Sequence, residues 1–215
     1  MPADIFRRRD LLAWYVACSA GLIGRAAAQD AAEVTAPIQR FYAGLLSVMQ
    51  AGRTTPFVRR FHALAPTLEQ ALNVPAILQS AVGIGWAAIP AQQQSVLLTA
   101  FTRYTVSTWV GNFDSYSGQK LEVKGARPMG SAQVVHTEIV EQSGSPSGID
   151  YVMRPANAGW KATDVLLSGS ISQVAMLRSD FRSLLPRGPL ALAAHLDQKA
   201  TELHNSIHQR SVPAS

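Results

Sequence analysis

The stretch Ile149–Leu185, IDYVMRPANAGWKATDVLLSGSISQVAMLRSDFRSLL, decides how the rest of the chain is read. Ile149, Tyr151 and Met153 alternate with Asp150, Val152 and Arg154, the period of a half-buried strand. Pro155, Asn157 and Gly159 then supply a turn, because proline fixes φ while asparagine and glycine tolerate positive values. A second strand follows, with Trp160, Ala162 and Asp164 on one face and Lys161, Thr163 and Val165 on the other. The apolar run Val165-Leu166-Leu167 marks its entry into a core. Ser168-Gly169-Ser170 breaks that run, and Ser170 with Gln173 has capping-box spacing. From Ile171 onward Val174, Leu177, Phe181 and Leu184 recur at helical spacing, while Arg178, Asp180 and Arg182 project elsewhere.

Working backward, Gly111-Asn112-Phe113 is where the character of the chain changes. Before it the pattern is helical. Ala36–Gln50 carries an apolar stripe of Ile38, Phe41, Leu45, Val48 and Met49. Phe57–Leu64 predicts a helix up to Pro66, with Arg59 and Arg60 facing out, and Thr67–Leu72 and Pro75–Gly83 predict two short ones. Gly83-Ile84-Gly85-Trp86 is an apolar bend marked by glycines. Pro90–Val110 is predicted as the longest helix, with Val96, Leu97, Phe101, Tyr104, Thr105 and Trp109 on its inner faces. After it, Leu121–Lys124 and Val134–Glu141 read as strands, and Ser143–Gly148 as a hairpin loop that makes its flanking runs antiparallel. A last helix runs from Leu190 to about Leu203. The fold class is therefore α+β: helices first, an antiparallel sheet of about four strands, then helices.

The 215 residues suffice for one good-sized domain. Charged residues are 15% and apolar ones 47%, which excludes a disordered chain. The net charge is +5, but Arg7, Arg8, Arg9 and Arg25, with Asp4 and Asp10, precede a cleavage signal at Ala26-Ala27-Ala28. The arginines and the apolar run Leu11–Ile23 make residues 1–28 a signal peptide, and Arg8-Arg9-Asp10-Leu11-Leu12 approximates a twin-arginine signal. The apolar run is too short for a membrane span. Cleavage after Ala28 leaves 15 basic and 12 acidic residues, a net charge of +3. That mild bias suits transient contact with anionic lipid surfaces or an acidic partner, and no basic stripe points to nucleic acid. The only cysteine, Cys18, lies in the signal segment without the leucine-like residue of a lipoprotein box, so the mature chain has no thiol chemistry. Residues 29–204 form the predicted domain and 205–215 a loose tail.

Catalytic and metal readings are weak. His62, His136, His195, His204 and His208 are scattered; His204 and His208 are four apart on a helix, but no third ligand accompanies them. No G-x-S-x-G elbow surrounds Ser168-Gly169-Ser170. Asp164, just before an apolar run, has two readings: a hydrogen-bonded strand-end carboxylate, which is favoured, or a general base in a small cavity enzyme.

Gly159-Trp160-Lys161, Asp164-Val165, Ser172, Arg178-Ser179-Asp180-Phe181 and Gly188 stand in an order that resembles the MlaC / toluene-tolerance family of periplasmic phospholipid carriers serving an ABC-type lipid transporter. The chain is also similar to the HpnM branch, associated with hopanoid lipids. The resemblance extends over nearly all of the mature chain, including the Gly-x-Gly-Trp bend and the Phe101–Tyr104 helix. It implies a curved sheet whose helices close a deep apolar cavity, no cofactor and no reaction. The implied partners are a phospholipid or hopanoid, an inner-membrane ABC transporter complex and an outer-membrane lipid-handling complex. Together with the helical spacings it points to Phe41, Leu45, Val82, Trp86, Val96, Phe101, Tyr104, Trp109, Tyr151 and Val165 as lipid-binding residues. Three functions thus stand side by side: a soluble lipid carrier, an Asp164 enzyme, and a structural partner docked on an envelope complex.

Overall fold

The computed structural model describes residues 19–211, with side chains described over 30–206. Helices α1 (Ser19–Ala51), α2 (Phe57–Ala71), α3 (Val74–Val82) and α4 (Ala91–Asn112) come first. Strands β1 (Lys120–Met129), β2 (Ala132–Val140), β3 (Ser147–Ala156), β4 (Gly159–Leu167) and β5 (Ile171–Ser172) follow, and α5 (Gln173–Arg182) and α6 (Pro189–Ser211) close the chain. The strands form one antiparallel meander in the order β1-β2-β3-β4-β5. The fold is α+β as the sequence predicts, with β5 a fifth, two-residue strand where a helical start was expected. Most of the signal segment, residues 1–18, and the tail residues 212–215 lie outside the described residues. Among the described residues, no helix is long and apolar enough to cross a membrane. The last helix runs past the predicted end near Leu203 to Ser211.

Three readings are corrected by packing. Pro66 does not end its helix: α2 runs through it to Ala71. A proline inside a helix costs about 3 kcal/mol. Leu64, Leu68 and Ala71, all fully buried on one face, offset that at about 1.5–3 kcal/mol for each leucine. Arg60 does not face out; it is 1% exposed. Its Nε donates to the Thr55 carbonyl at 3.1 Å and its Nη1 to the Asp114 carbonyl at 3.4 Å, which ties the start of α2 to the end of α4. Burial holds its pKa below the usual guanidinium value. Arg53 grips the Asp114 carboxylate beside it with two bonds, of 2.9 and 3.1 Å.

The third correction concerns β4. A bulge at Thr163 lets Val152 pair with Asp164 and Met153 with Ala162. Beyond a bulge the inward phase of a strand moves by one residue. Ala162 and Val165 therefore both join the core, opposite Met153 and Tyr151, although simple alternation puts them on opposite faces. Trp160, at the start of the strand, is half-buried. On β3 the burial is also fuller than alternation predicts: Asp150 and Val152 are buried along with Ile149, Tyr151 and Met153. The Asp150 carboxylate lies 2.5 Å from His136 Nδ1 and 3.9 Å from the Arg127 guanidinium.

The helices cover the other face of β3. Tyr151 donates its hydroxyl to Tyr42 (3.3 Å), Tyr42 meets Thr137 (2.6 Å), and Thr137 donates to the Ile149 carbonyl. Every oxygen in this buried chain has a partner, as the low-dielectric interior requires. Burial raises the pKa of both phenols, that of Tyr151 well above its ordinary value.

Candidate functional site: an apolar cleft between α4 and the sheet

Along α4, Phe101, Tyr104, Thr105, Thr108, Trp109 and Asn112 recur every three or four residues and so share one face. That face does not close on its neighbours. It borders a half-open cleft of about 310 Å³. The opposite wall is Ile149, Val165 and Leu167 from β3 and β4, with Gln173 and Leu177 from α5; Leu72 and Ile77 extend it toward α3, and Phe113 closes the end of α4.

The cleft is more apolar than its residue names suggest. Thr105 Oγ1 donates to the Phe101 carbonyl at 2.8 Å, and Thr108 Oγ1 to the Tyr104 carbonyl at 2.9 Å. Both hydroxyls are thus committed to the helix backbone. Trp109 is fixed from two sides. It stacks on Phe113 with centroids 5.4 Å apart and meets Phe41 edge-on at 4.9 Å. Phe101 meets Phe181 edge-on at 6.2 Å. Aromatic packing thus backs the α4 side of the cleft.

Asp164 lines the cleft, with a structural duty that accounts for its carboxylate. Oδ1 accepts from the backbone N–H of Val165 (2.8 Å) and of Val174 (3.1 Å), and Oδ2 accepts from the Ser172 hydroxyl at 2.6 Å. Ser172 in turn accepts from Ala175 N–H at 3.0 Å and is the N-cap of α5. The cap is therefore Ser172 and not Ser170, and the helix starts at Gln173 and not Ile171. The three hydrogen bonds of this carboxylate thus tie the end of β4 to the start of α5.

The ten residues picked from spacing and resemblance divide sharply. Phe101, Tyr104, Trp109 and Val165 come together on the cleft. Phe41 and Leu45 are fully buried in the α1 core, Phe41 directly behind Trp109. Tyr151 is buried in its hydroxyl chain. Val82 lies at the end of α3 beside a different hollow, and Trp86 is half-buried in the 3₁₀ turn Gly83–Ala88. Val96 does not face inward: it is 46% exposed, one position off the buried row of Leu97, Ala100 and Phe101, and in register with exposed Arg103 seven residues on. Ile77, Phe113, Ile149 and Leu177 border the cleft without being among those ten. For Leu177 the helical stripe of α5 was the available signal; the others are joined to the site only by the tertiary fold.

Where the family resemblance implies a deep, enclosed cavity, the described residues show a half-open cleft of about 310 Å³. The arrangement as a whole is that of an α+β protein whose helices cover one face of an antiparallel meander and leave an apolar cleft beside it. The family model described as MlaC protein matches residues 39–198, and the chain belongs to that family. Among solved structures it is similar to a phospholipid-binding protein from Ralstonia solanacearum in complex with a phospholipid. The two are 19% identical, the match covers 79% of this chain and 98% of the other, and the TM-score is 0.68. No curated protein matches the chain.

Proposed function

We propose that the protein is an exported lipid carrier that shelters acyl chain in the cleft between α4 and the sheet. The observation that carries this reading is the cleft itself: an apolar hollow bordered by packed aromatic rings and by threonines whose hydroxyls bond to backbone. Family membership and the phospholipid in the similar Ralstonia protein support it. A carrier answers a physical demand. Each buried methylene is worth about 0.8 kcal/mol, so the roughly thirty of a two-chain lipid keep it from crossing water alone. The cleft stands at the lower end of the about 300–1,000 Å³ of small-ligand sites. It takes part of one chain, and a whole lipid requires α3 and α5 to move away from α4. In this reading residues 1–28 direct export to the periplasm and are removed, and the carrier shuttles phospholipid, or a hopanoid, between an inner-membrane ABC transporter complex and an outer-membrane complex. No reaction is involved, and Asp164 is a cap.

The test is mass spectrometry of the organic extract of purified protein, wild type against Val165→Trp. Wild type is expected to hold lipid in stoichiometric amount. The enlarged side chain is expected to lower it several-fold with the fold intact, because a cleft accepts volume that a packed core rejects at about 1–3 kcal/mol. Lipid-free wild type, or undiminished lipid in Val165→Trp, overturns the reading. An added ligand turned over by wild type and not by Asp164→Asn would establish the enzyme instead.

A further inference from the structure

Cleft binding leaves one conspicuous feature without a role, the bend Gly83-Ile84-Gly85-Trp86. Ile84 is a fully exposed aliphatic side chain, the most exposed of the large hydrophobics. Its position is built into the turn. Gly83 ends α3 with φ +78°, a conformation that a side chain would strain, and a Cβ at Gly83 or Gly85 would meet nothing within 4 Å, so the turn stands clear of its surroundings. The turn is also stapled from behind: Gln94 Nε2 donates to the Trp86 carbonyl at 3.1 Å and to the Ile89 carbonyl at 2.9 Å. Ile84 is thus held out into solvent by a fixed backbone.

Beside it lies a hollow bordered by Val82, Ile84 and Leu185 on the apolar side and by Arg178 and Arg182 on the polar side. The two arginines are one helical turn apart on α5 and so share a face. Arg178 is oriented by two bonds to the Ser80 carbonyl, 2.7 and 3.2 Å long, which position the guanidinium and leave its charge unbalanced. Among the described residues neither arginine takes part in an ion pair, and no carboxylate borders the hollow. The same two helices carry Ile77 and Leu177, which border the cleft, so the tip and the cleft mouth share walls.

We infer that this tip is a membrane-contact site: Ile84 enters the interface of a bilayer while Arg178 and Arg182 engage the phosphates of anionic lipids. A lone aliphatic knob with two uncompensated cations suits a fluid, anionic surface. A stable protein interface needs about 800 Å² per partner with aromatic anchors, and the apolar part of this tip is small. The inference goes beyond carriage in the cleft, because contact with a bilayer requires only the tip.

Flotation with vesicles tests it, using phosphatidylglycerol mixed with phosphatidylcholine against phosphatidylcholine alone. Wild type is expected to bind the anionic vesicles preferentially, with affinity falling as salt rises. Ile84→Ser should weaken binding roughly ten-fold through the lost apolar contact. Arg182→Gln should weaken it roughly five-fold and reduce the preference for anionic lipid. Neither substitution removes a buried group, and unchanged thermal unfolding checks that. Equal binding to both kinds of vesicle, or wild-type binding by both variants, overturns the inference. So does loss of capture by a purified protein partner in variants that still float normally, which would make the tip a protein-docking site. Lipid content of each preparation separates the two readings: variants that lose vesicle binding with wild-type lipid content leave carriage standing. A lipid-free wild type that floats with anionic vesicles defeats carriage and leaves the tip standing.

Discussion

Phe41 on α1 and Phe101 on α4 are both buried rings on apolar helical stripes, yet one belongs to a closed core and the other borders an open cleft. Around Phe41 the stripe Ile38, Leu45, Val48 and Met49 is closed, within a core that includes Leu64 and Leu68 of α2 and Tyr151 of β3. Around Phe101 only part of the helix is closed. α4 packs on α6 and α2, and its remaining face looks across a gap to Val165 and Leu177. The lesson is that helical periodicity reports which face is kept from water and not what covers it. Closure is decided by what stands opposite, and here the bulge at Thr163 and the cap at Ser172 set the position of the facing wall.

Substitutions can break that contrast at successively finer levels. The largest effect is expected for Phe41→Ala, a loss of about 3–5 kcal/mol in denaturant unfolding, because truncating a fully buried aromatic leaves a cavity. A loss below about 1 kcal/mol would mean that the α1 side is as loosely filled as the cleft. Next comes Asp164→Ala, which leaves the Val165 and Val174 N–H groups and the Ser172 hydroxyl without their acceptor. A cost of about 1–3 kcal/mol is expected, read as a lowered unfolding midpoint. No cost would return Asp164 to the pool of unexplained acids.

Tyr151→Phe addresses the closed side by pH. The folded-state pKa of this phenol is raised above its ordinary 10.0, so the native state holds the proton more tightly than the unfolded chain. Its contribution is complete below that ordinary value and is lost as pH rises through the folded value. Wild type should lose stability progressively above about pH 10. The variant should do so less steeply, after a cost of about 0.5–1.5 kcal/mol at neutral pH for the hydrogen bond to Tyr42. Parallel alkaline curves would place the phenol in water. The smallest effect is expected for Val96→Trp: exposed on the outside of α4, it should change stability by less than about 0.5 kcal/mol and leave lipid content unaltered. A drop in lipid would put Val96 on the loading path.

What the sequence determined by itself was the alternation of kinds. The 3.6-residue stripes of α1, α4 and α5, the hairpin at Ser143–Gly148 and the change of character at Gly111 are local signals carried by neighbouring residues, and the helix–sheet–helix order follows from them. Four of the ten candidates, Phe101, Tyr104, Trp109 and Val165, border the cleft, Val165 through a bulge that alternation does not foresee. The tertiary structure decided the rest. Pro66 stayed inside a helix because buried leucines flank it, and Arg60 turned inward because two carbonyls from separate elements needed a donor. Phe41 filled a core while Phe101 bordered a cleft. Those outcomes depend on which surfaces meet across long stretches of chain, and a residue's own neighbours in sequence carry no record of that.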